Sequence, residues 1–273
     1  MSVAVESQTV LAFDSLAAKY DDLFTRSMIG RAQRGVVWDA MIDTFEPGSH
    51  ILELNCGTGE DALFLAGHDV SVLACDASAH MINTARRRMQ NEDPEAPIEF
   101  RVLATEQLSK LGRHELFDGA FSNFSGLNCV ADLHLTAHQL AGLVSKRAPV
   151  LICLSTRYCI LEMAWFVLHG QFYKAFRRTP GFATVKVGEY IVKVHYPTLR
   201  EIKKTFAPYF RMRWCTGIGV AVPPSYLEPI VRKHPRLLNL LRAVDRVIAP
   251  LPWFRTIGDH ILIRFERVEE PCC

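Results

Sequence analysis

The sequence predicts an α/β protein built on a doubly wound, mostly parallel sheet. Three observations carry that reading. Apolar runs of strand length alternate with helical segments through four β-α steps between residues 50 and 155. The runs "HILEL", "VSVLACD" and "PVLICLS" are almost continuously apolar, as in strands covered on both faces. A two-glycine turn, "NCGTGE", joins the first run to a helix, the connection that places backbone N–H groups against a ligand.

Taken in order, residues 10–22 put Leu11, Leu16 and Tyr20 near helical spacing, and residues 28–45 read as a second helix ended by Pro47-Gly48. Strand one spans 50–54, and Gly59–Ala66 opens a helix. Strand two spans 70–76, followed by a helix over 78–90 with Ser78 as its N-cap. Strand three is 98–103, strand four lies within 116–124, a helix covers 133–145, and strand five is 149–155. The pattern then changes. Residues 157–178 read as one long aromatic and basic helix, and 184–198 alternate like a hairpin turning near Gly188-Glu189. A helix over 199–210 ends near Pro208, a strand covers 211–222, helices fill 226–249 with a break at Pro235, and 259–268 form a final strand. The expected organisation is N-terminal helices (1–48), a core (49–155), a cap insertion (156–198) and a C-terminal part (199–273) that completes the sheet with further cap helices, as one unit with the core.

Composition sets the frame for function. With 273 residues, 49% apolar and 22% charged, the chain can bury a large core without staples. Its eight cysteines contain no C-x-x-C pair and lie mostly in apolar runs, so free thiols in a reducing compartment are expected, and no metal-ligand pattern is present. The opening residues lack a basic and apolar leader, and no apolar run reaches membrane-spanning length. The expected location is the cytoplasm. The net charge of +2 hides an asymmetry: residues 1–154 hold 12 Lys+Arg against 20 Asp+Glu, and residues 155–273 hold 19 against 9. The second half either differs by chance or faces something anionic. Nucleic acid is disfavoured, because no dense basic run is interleaved with aromatics.

Gly57-Thr58-Gly59-Glu60-Asp61-Ala62 fits the loose G-x-G-x-x-A dinucleotide fingerprint. The acids around it separate the ligands. Glu53, four residues ahead of Gly57, would repel a phosphate and attract a cation. Asp76, 19 residues after Gly57 at the end of strand two, can accept both hydroxyls of a ribose.

These segments resemble the class I S-adenosylmethionine-dependent methyltransferases, over roughly residues 10–155. "ILELNCGTGEDALFLA" is similar to their first motif through Glu53, Gly57 and Gly59, with Asn55 where a glycine is usual. "VLACDASAHMINTARRR" is similar to the segment that holds ribose and adenine, which implies cofactor roles for Asp76, Ala77 and Met81. "FDSLAAKYD" resembles the N-terminal helix of ubiquinone/menaquinone-type and small-molecule methyltransferases that closes over the cofactor, implying lid positions for Phe13 and Tyr20. "FDGAFSNFSGLNCV" resembles the motif at strand four, placing Asn123 and Phe124 beside the methyl donor. After strand three, Ala104 stands where the family often has an acid for adenine, with Thr105 and Glu106 following. The resemblance implies a Rossmann-like, seven-stranded sheet, its last strand antiparallel, with the α+β cap inserted between strands five and six. It implies S-adenosyl-L-methionine as cofactor and methyl transfer to a small, apolar or amphipathic metabolite.

Other residues carry two readings. Arg34 is a candidate partner for the cofactor carboxylate, against a solvated helix face. "ARRRMQ" (85–90) reads as a solvated basic face. Cys56 reads as a small packed residue. Because methyl transfer needs no fixed base, catalytic candidates come from the strand ends: Tyr158, His195 and His260. The cap is either a helix packed on the sheet with snorkelling basic ends, or the wall of an apolar acceptor pocket in peripheral contact with an anionic membrane. The terminal "EEPCC" carries a weak hint of lipidation at Cys272 or Cys273. Two rivals stay open: an NAD(P)-dependent oxidoreductase, supported by the glycine fingerprint with Asp76, and a non-catalytic binding protein on the same fold.

Overall fold

The computed structural model describes residues 2–112 and 116–269; the terminal cysteines lie outside them. Nine strands are formed among the described residues: β1 (His50–Leu54), β2 (Ser71–Asp76), β3 (Ile98–Val102), β4 (Gly119–Ser122), β5 (Pro149–Ser155), β6 (Phe182–Val187), β7 (Tyr190–His195), β8 (Phe210–Ile218) and β9 (His260–Arg267). Seven of them make one sheet in the order β3-β2-β1-β4-β5-β9-β8. The first five neighbours pair in parallel, while β9 runs antiparallel to both β5 and β8. The order reverses at β1, where the chain crosses from one half of the sheet to the other and leaves a crevice at the carboxyl ends of β1 and β4. Strands β6 and β7 form a separate hairpin.

The helices are α1 (Ser2–Tyr20), α2 (Met28–Ile42), α3 (Glu60–Ala66), α4 (Ala79–Glu92), α5 (Leu133–Ala141), α6 (Ile160–Leu168), α7 (Phe172–Ala175), α8 (Leu199–Phe206), α9 (Glu228–Lys233) and α10 (Pro235–Ile248). A π-helical turn, Asp21–Thr25, follows α1. Two apolar layers cover the sheet. Leu52, Leu54 and Ile263 face α5 and α8 with Phe206, and Ile51, Val72 and Phe121 face α2–α4 with Met41 and Ile82. Along β1 the alternation gives Ile51 to one layer and Leu52 to the other, so Glu53 falls on the Ile51 side, inside an otherwise apolar layer.

Three expectations need correction. The segment 157–178 is two helices, not one. Gly170 turns left-handed (φ +68°) just after α6, its N–H bonding to Val167 O and that of Gln171 to Phe166 O, a Schellman stop. The helix expected over 199–210 ends at Phe206, because Pro208 has no N–H to continue the ladder after Ala207; its start is fixed by a capping box between Thr198 and Glu201. The basic run 85–90 is not a merely solvated face. Arg88 is largely buried and pairs with Asp21 and Glu60, joining α4 to the π-helical turn and to α3.

Candidate active site

A cavity of about 930 Å³ opens at the carboxyl edge of the parallel strands. Its floor comes from the β1–α3 loop (Asn55, Gly57) and the end of β2 (Asp76, Ala77, Ser78). One wall follows β3 (Leu103–Gln107) and another follows β4 (Asn123–Gly126). Two elements from outside the sheet close it: α1, through Val10, Phe13 and Tyr20, and strand β7, through Lys193, Val194 and His195.

The glycine loop owes its shape to left-handed backbone. Asn55 (φ 57°), Gly57 (φ 54°) and Gly59 (φ 76°) all lie in that region. A side chain at Gly59 would strike Ala85 and the Phe100 ring, so this glycine packs the loop onto α4. Around Gly57 nothing lies within 4 Å of a would-be Cβ, and its backbone borders the cavity. Asn55, the departure from the usual glycine, tolerates the left-handed backbone better than most residues. Its Oδ1 accepts hydrogen bonds from Thr105 Oγ1 and Ser122 Oγ, both at 3.3 Å. It thereby ties the loop to β4 and to the segment after β3.

Asp76 is fixed from two sides. Its Oδ2 accepts from Gly57 N–H (2.9 Å) and its Oδ1 from Ser78 N–H (2.8 Å). Burial raises its carboxyl above the ordinary value, against the pull of those N–H donors. Each oxygen keeps lone pairs for a hydroxyl pair presented in the cavity.

Behind the loop lies a buried polar layer. Glu53 is 1% exposed, and its Oε2 has no hydrogen-bond partner. Burial drives its carboxyl well above the usual range, helped by Asp61 and opposed by Arg34. Asp61 collects three donors from two elements: from α2, Arg34 at 2.6 Å and Trp38 Nε1 at 2.7 Å on Oδ1, and from the loop after β4, Asn123 Nδ2 at 2.9 Å on Oδ2. The Arg34 guanidinium also lies over the Phe124 ring, 4.9 Å from its centroid. Arg34 is therefore neither a solvated residue nor a cavity wall: it is a buried strut paired with Asp61. After Asn123 the chain takes two consecutive left-handed residues, Phe124 (φ 39°) and Ser125 (φ 70°), a strained turn that aims this loop into the cavity.

The N-terminal helix is bolted to this floor. Asp14 accepts from Ser78 Oγ at 2.5 Å, and Asp21 accepts from Thr58 Oγ1 at 2.7 Å while pairing with Arg88. Tyr20, next to Asp21, is pushed up to about 12 by burial, with Arg34 the main opposing influence.

Most residues expected at the cofactor converge here. Tyr20, Asn55, Gly57, Asp76, Ala77, Met81, Thr105, Glu106, Asn123 and Phe124 line the cavity, while Glu53, Gly59 and Arg34 stand behind its lining. Of the three catalytic candidates only His195 faces it. His260 is buried edge-on against Phe124, 5.4 Å between centroids, and Tyr158 is 43% exposed; neither is part of the lining. The ionic bolts Asp14, Asp21 and Asp61 escaped the sequence reading. The only local signal was the acid directly after Tyr20.

Comparison with known proteins places this arrangement. Residues 51–146 match the model of a methyltransferase domain family. A 2-phytyl-1,4-naphtoquinone methyltransferase of Nostoc sp. is 29% identical over 146 residues, 51% of this chain and 61% of the relative; the chain thus spans about three-fifths of the curated relative's length. An S-adenosylmethionine-dependent methyltransferase from Mesorhizobium loti superposes with a TM-score of 0.55 at 15% identity, covering 88% of this chain and all of the other. The [4+2]-cyclase SpnF superposes at 0.57 with 10% identity, over 88% and 82% of the two chains. Residues 51–146 are thus similar to a methyltransferase domain, and the chain shares its fold with S-adenosylmethionine-dependent methyltransferases of known structure.

Proposed function

We propose that the protein transfers the methyl group of S-adenosylmethionine to a small, apolar or amphipathic acceptor. The observation that carries this is the pair of carboxylates around the glycine loop. Asp76 is held toward the cavity by two N–H donors, and Glu53 lies buried beneath with an unpartnered oxygen. A ribose diol suits the first, and the ammonium of a methionine moiety suits the second. Asn55, Met81 and Thr105 would flank the nucleoside, and Tyr20 would close over it. The cofactor supplies an activated methyl on sulfur. The protein's part is to align an acceptor with it and to exclude water.

The acceptor end of the cavity includes Cys129, Val130, Ala131, Val194 and His195, a mostly apolar wall with a single imidazole. The naphthoquinone in the Nostoc relative's name is an acceptor of that character. His195 is held below its ordinary value of 6.5 by burial and by neighbouring Lys193, so it is neutral at pH 7. In this reading it takes a proton from a hydroxyl or amine acceptor. A dinucleotide reading is disfavoured, because Glu53, Asp61 and Asp76 crowd the loop where a pyrophosphate would add negative charge. The SpnF likeness shows that the fold alone does not dictate methyl transfer.

Calorimetry with S-adenosylmethionine, S-adenosylhomocysteine and NAD(P) tests the cofactor. Binding of NAD(P) alone would overturn the reading, and binding of none would favour a non-catalytic role. A panel of phenolic, amine and quinol acceptors, followed by S-adenosylhomocysteine release, then assigns the accepting atom.

A further inference from the structure

We infer that helices α6, α7 and α10 form a docking face for an anionic lipid surface. The first observation is a stripe on α10. Leu237, Leu240, Val244, Val247 and the following Leu251 recur at spacings of three and four and are all exposed, Val247 by 69%. Such spacing lines one side of a helix. The adjoining flank already has its partner, since Leu238 and Leu241 pack with Ile29 and Val231. The stripe is thus a second apolar face on a helix whose core face is satisfied.

The second observation is a set of aromatic and aliphatic tips near it. Leu168 (83%), Phe172 and Tyr173 (86%) project from α6 and α7, and Trp253 (86%) follows α10. Stacking of Phe166 on Tyr226 at 5.4 Å ties α6 to the segment leading into α9 and α10. Tyr and Trp at the edge of apolar surface suit the headgroup level of a bilayer.

Charge selects the partner. Within residues 160–178 and 226–255 the acids are Glu162, Glu228 and Asp245, and all three are buried. Glu162 is held by Arg177 and Arg178, Glu228 by the N–H groups of Met28 and Ile29 and by Arg232, and Asp245 by the N–H groups of Ala221 and Val222. The exposed charges of these segments are Lys174, Arg232, Lys233, Arg236, Arg242 and Arg246, every one positive. A second copy of this chain would bring like charges together, whereas anionic headgroups complement Lys233 and Arg236 at the edge of the stripe while acyl chains take the stripe itself. No helix among the described residues is long and apolar enough to cross a membrane, so the contact is peripheral. The insertion that bears α6 and α7 also supplies Lys193, Val194 and His195 to the cavity wall. If the methyl-transfer reading holds, lipid contact brings the acceptor pocket to a membrane-resident substrate.

The test is co-sedimentation of the full chain with vesicles of phosphatidylcholine alone or mixed with phosphatidylglycerol. Binding to the anionic vesicles, weakened by salt, is expected. The double variant Leu240→Asp/Val247→Asp should lose at least tenfold in affinity. Lys233→Ala/Arg236→Ala should lose roughly 25-fold, at about fivefold per basic residue near an anionic surface, with both variants binding S-adenosylhomocysteine as wild type does. Absent vesicle binding, equal binding to neutral vesicles, or a dimer in ultracentrifugation that the Asp variant dissolves would overturn the inference. Loss of S-adenosylhomocysteine binding by the wild type would instead overturn the methyltransferase reading and leave the surface to be judged by the vesicles.

Discussion

Asp21 accepts a hydrogen bond from Thr58 Oγ1 at 2.7 Å, so the end of the N-terminal helix is fastened to the middle of the glycine loop. The same carboxylate pairs with Arg88. These donors hold it below the ordinary carboxylate value although burial acts the other way. The N-terminal helix and the loop therefore form one unit, and cofactor affinity should depend on a residue that does not line the cavity. Asp21→Asn is expected to weaken S-adenosylhomocysteine binding about tenfold and to lower stability by about 1–2 kcal/mol. The stabilising effect of Asp21 belongs to its charged form. It is present above the unfolded value of 3.8 and fades as pH falls through the lower folded value. The gap between wild type and variant in thermal melts should therefore narrow toward pH 3.

Asp76 should be the largest single determinant of cofactor binding. Two charge-assisted hydrogen bonds to a ribose are each worth about 1.5–3 kcal/mol. Asp76→Ala should accordingly reduce S-adenosylhomocysteine affinity at least 100-fold in calorimetry, with an unchanged circular dichroism spectrum. Unchanged affinity would mean that the ribose lies elsewhere.

Glu53 should show a trade between stability and function. Its folded value is raised, so at neutral pH this buried acid opposes folding, and the penalty lessens as pH drops through the folded value. Glu53→Gln should raise the melting temperature by about 2–4 °C, the shift expected for roughly 1 kcal/mol at this chain length. Cofactor affinity should fall tenfold or more in the same variant. A variant that loses both would show that the carboxylate is structural only.

His195 sets the pH expectation. A base acts in its deprotonated form, and burial with Lys193 holds the imidazole below 6.5. The rate kcat/KM should rise with pH through a value under 6.5 and level off above it. His195→Ala should remove that limb and lower kcat by about 10²–10⁴ for an acceptor that must lose a proton. An unchanged profile would assign the limb to another group.

The strands were legible because β1, β2 and β5 are short apolar runs that admit no other packing, and Asp76 because its spacing from Gly57 is fixed by one β-α-β step. The burial of Arg34 is not legible in the sequence, for a physical reason. Its partner Asp61 lies 27 positions away on a different helix, and nothing in the neighbourhood of either residue shows that both are buried. Asp21 is similar, its donor being Thr58, 37 positions on. The split of 157–178 into α6 and α7 was hidden by aromatic composition, which suggested a continuous helix and drew attention from Gly170. Side-chain direction is not legible in the same way: β9 begins at the strand-end edge, but His260 turns behind Phe124, whereas His195 faces the cavity.

A Cβ built on Gly126 would lie 2.3 Å from the Cβ of Asn55. The two positions thus share one side chain's worth of space, and here it is granted to residue 55. Inheritance should record this bargain as a correlated exchange. Lineages that carry glycine at the first position are free to place a side chain at the second, and none should carry bulk at both. A swap made in two steps must pass through the form with glycine at both sites, which loses the tether to Thr105 and Ser122 but avoids the collision. That order of events, rather than the identity of either residue, is what the geometry dictates.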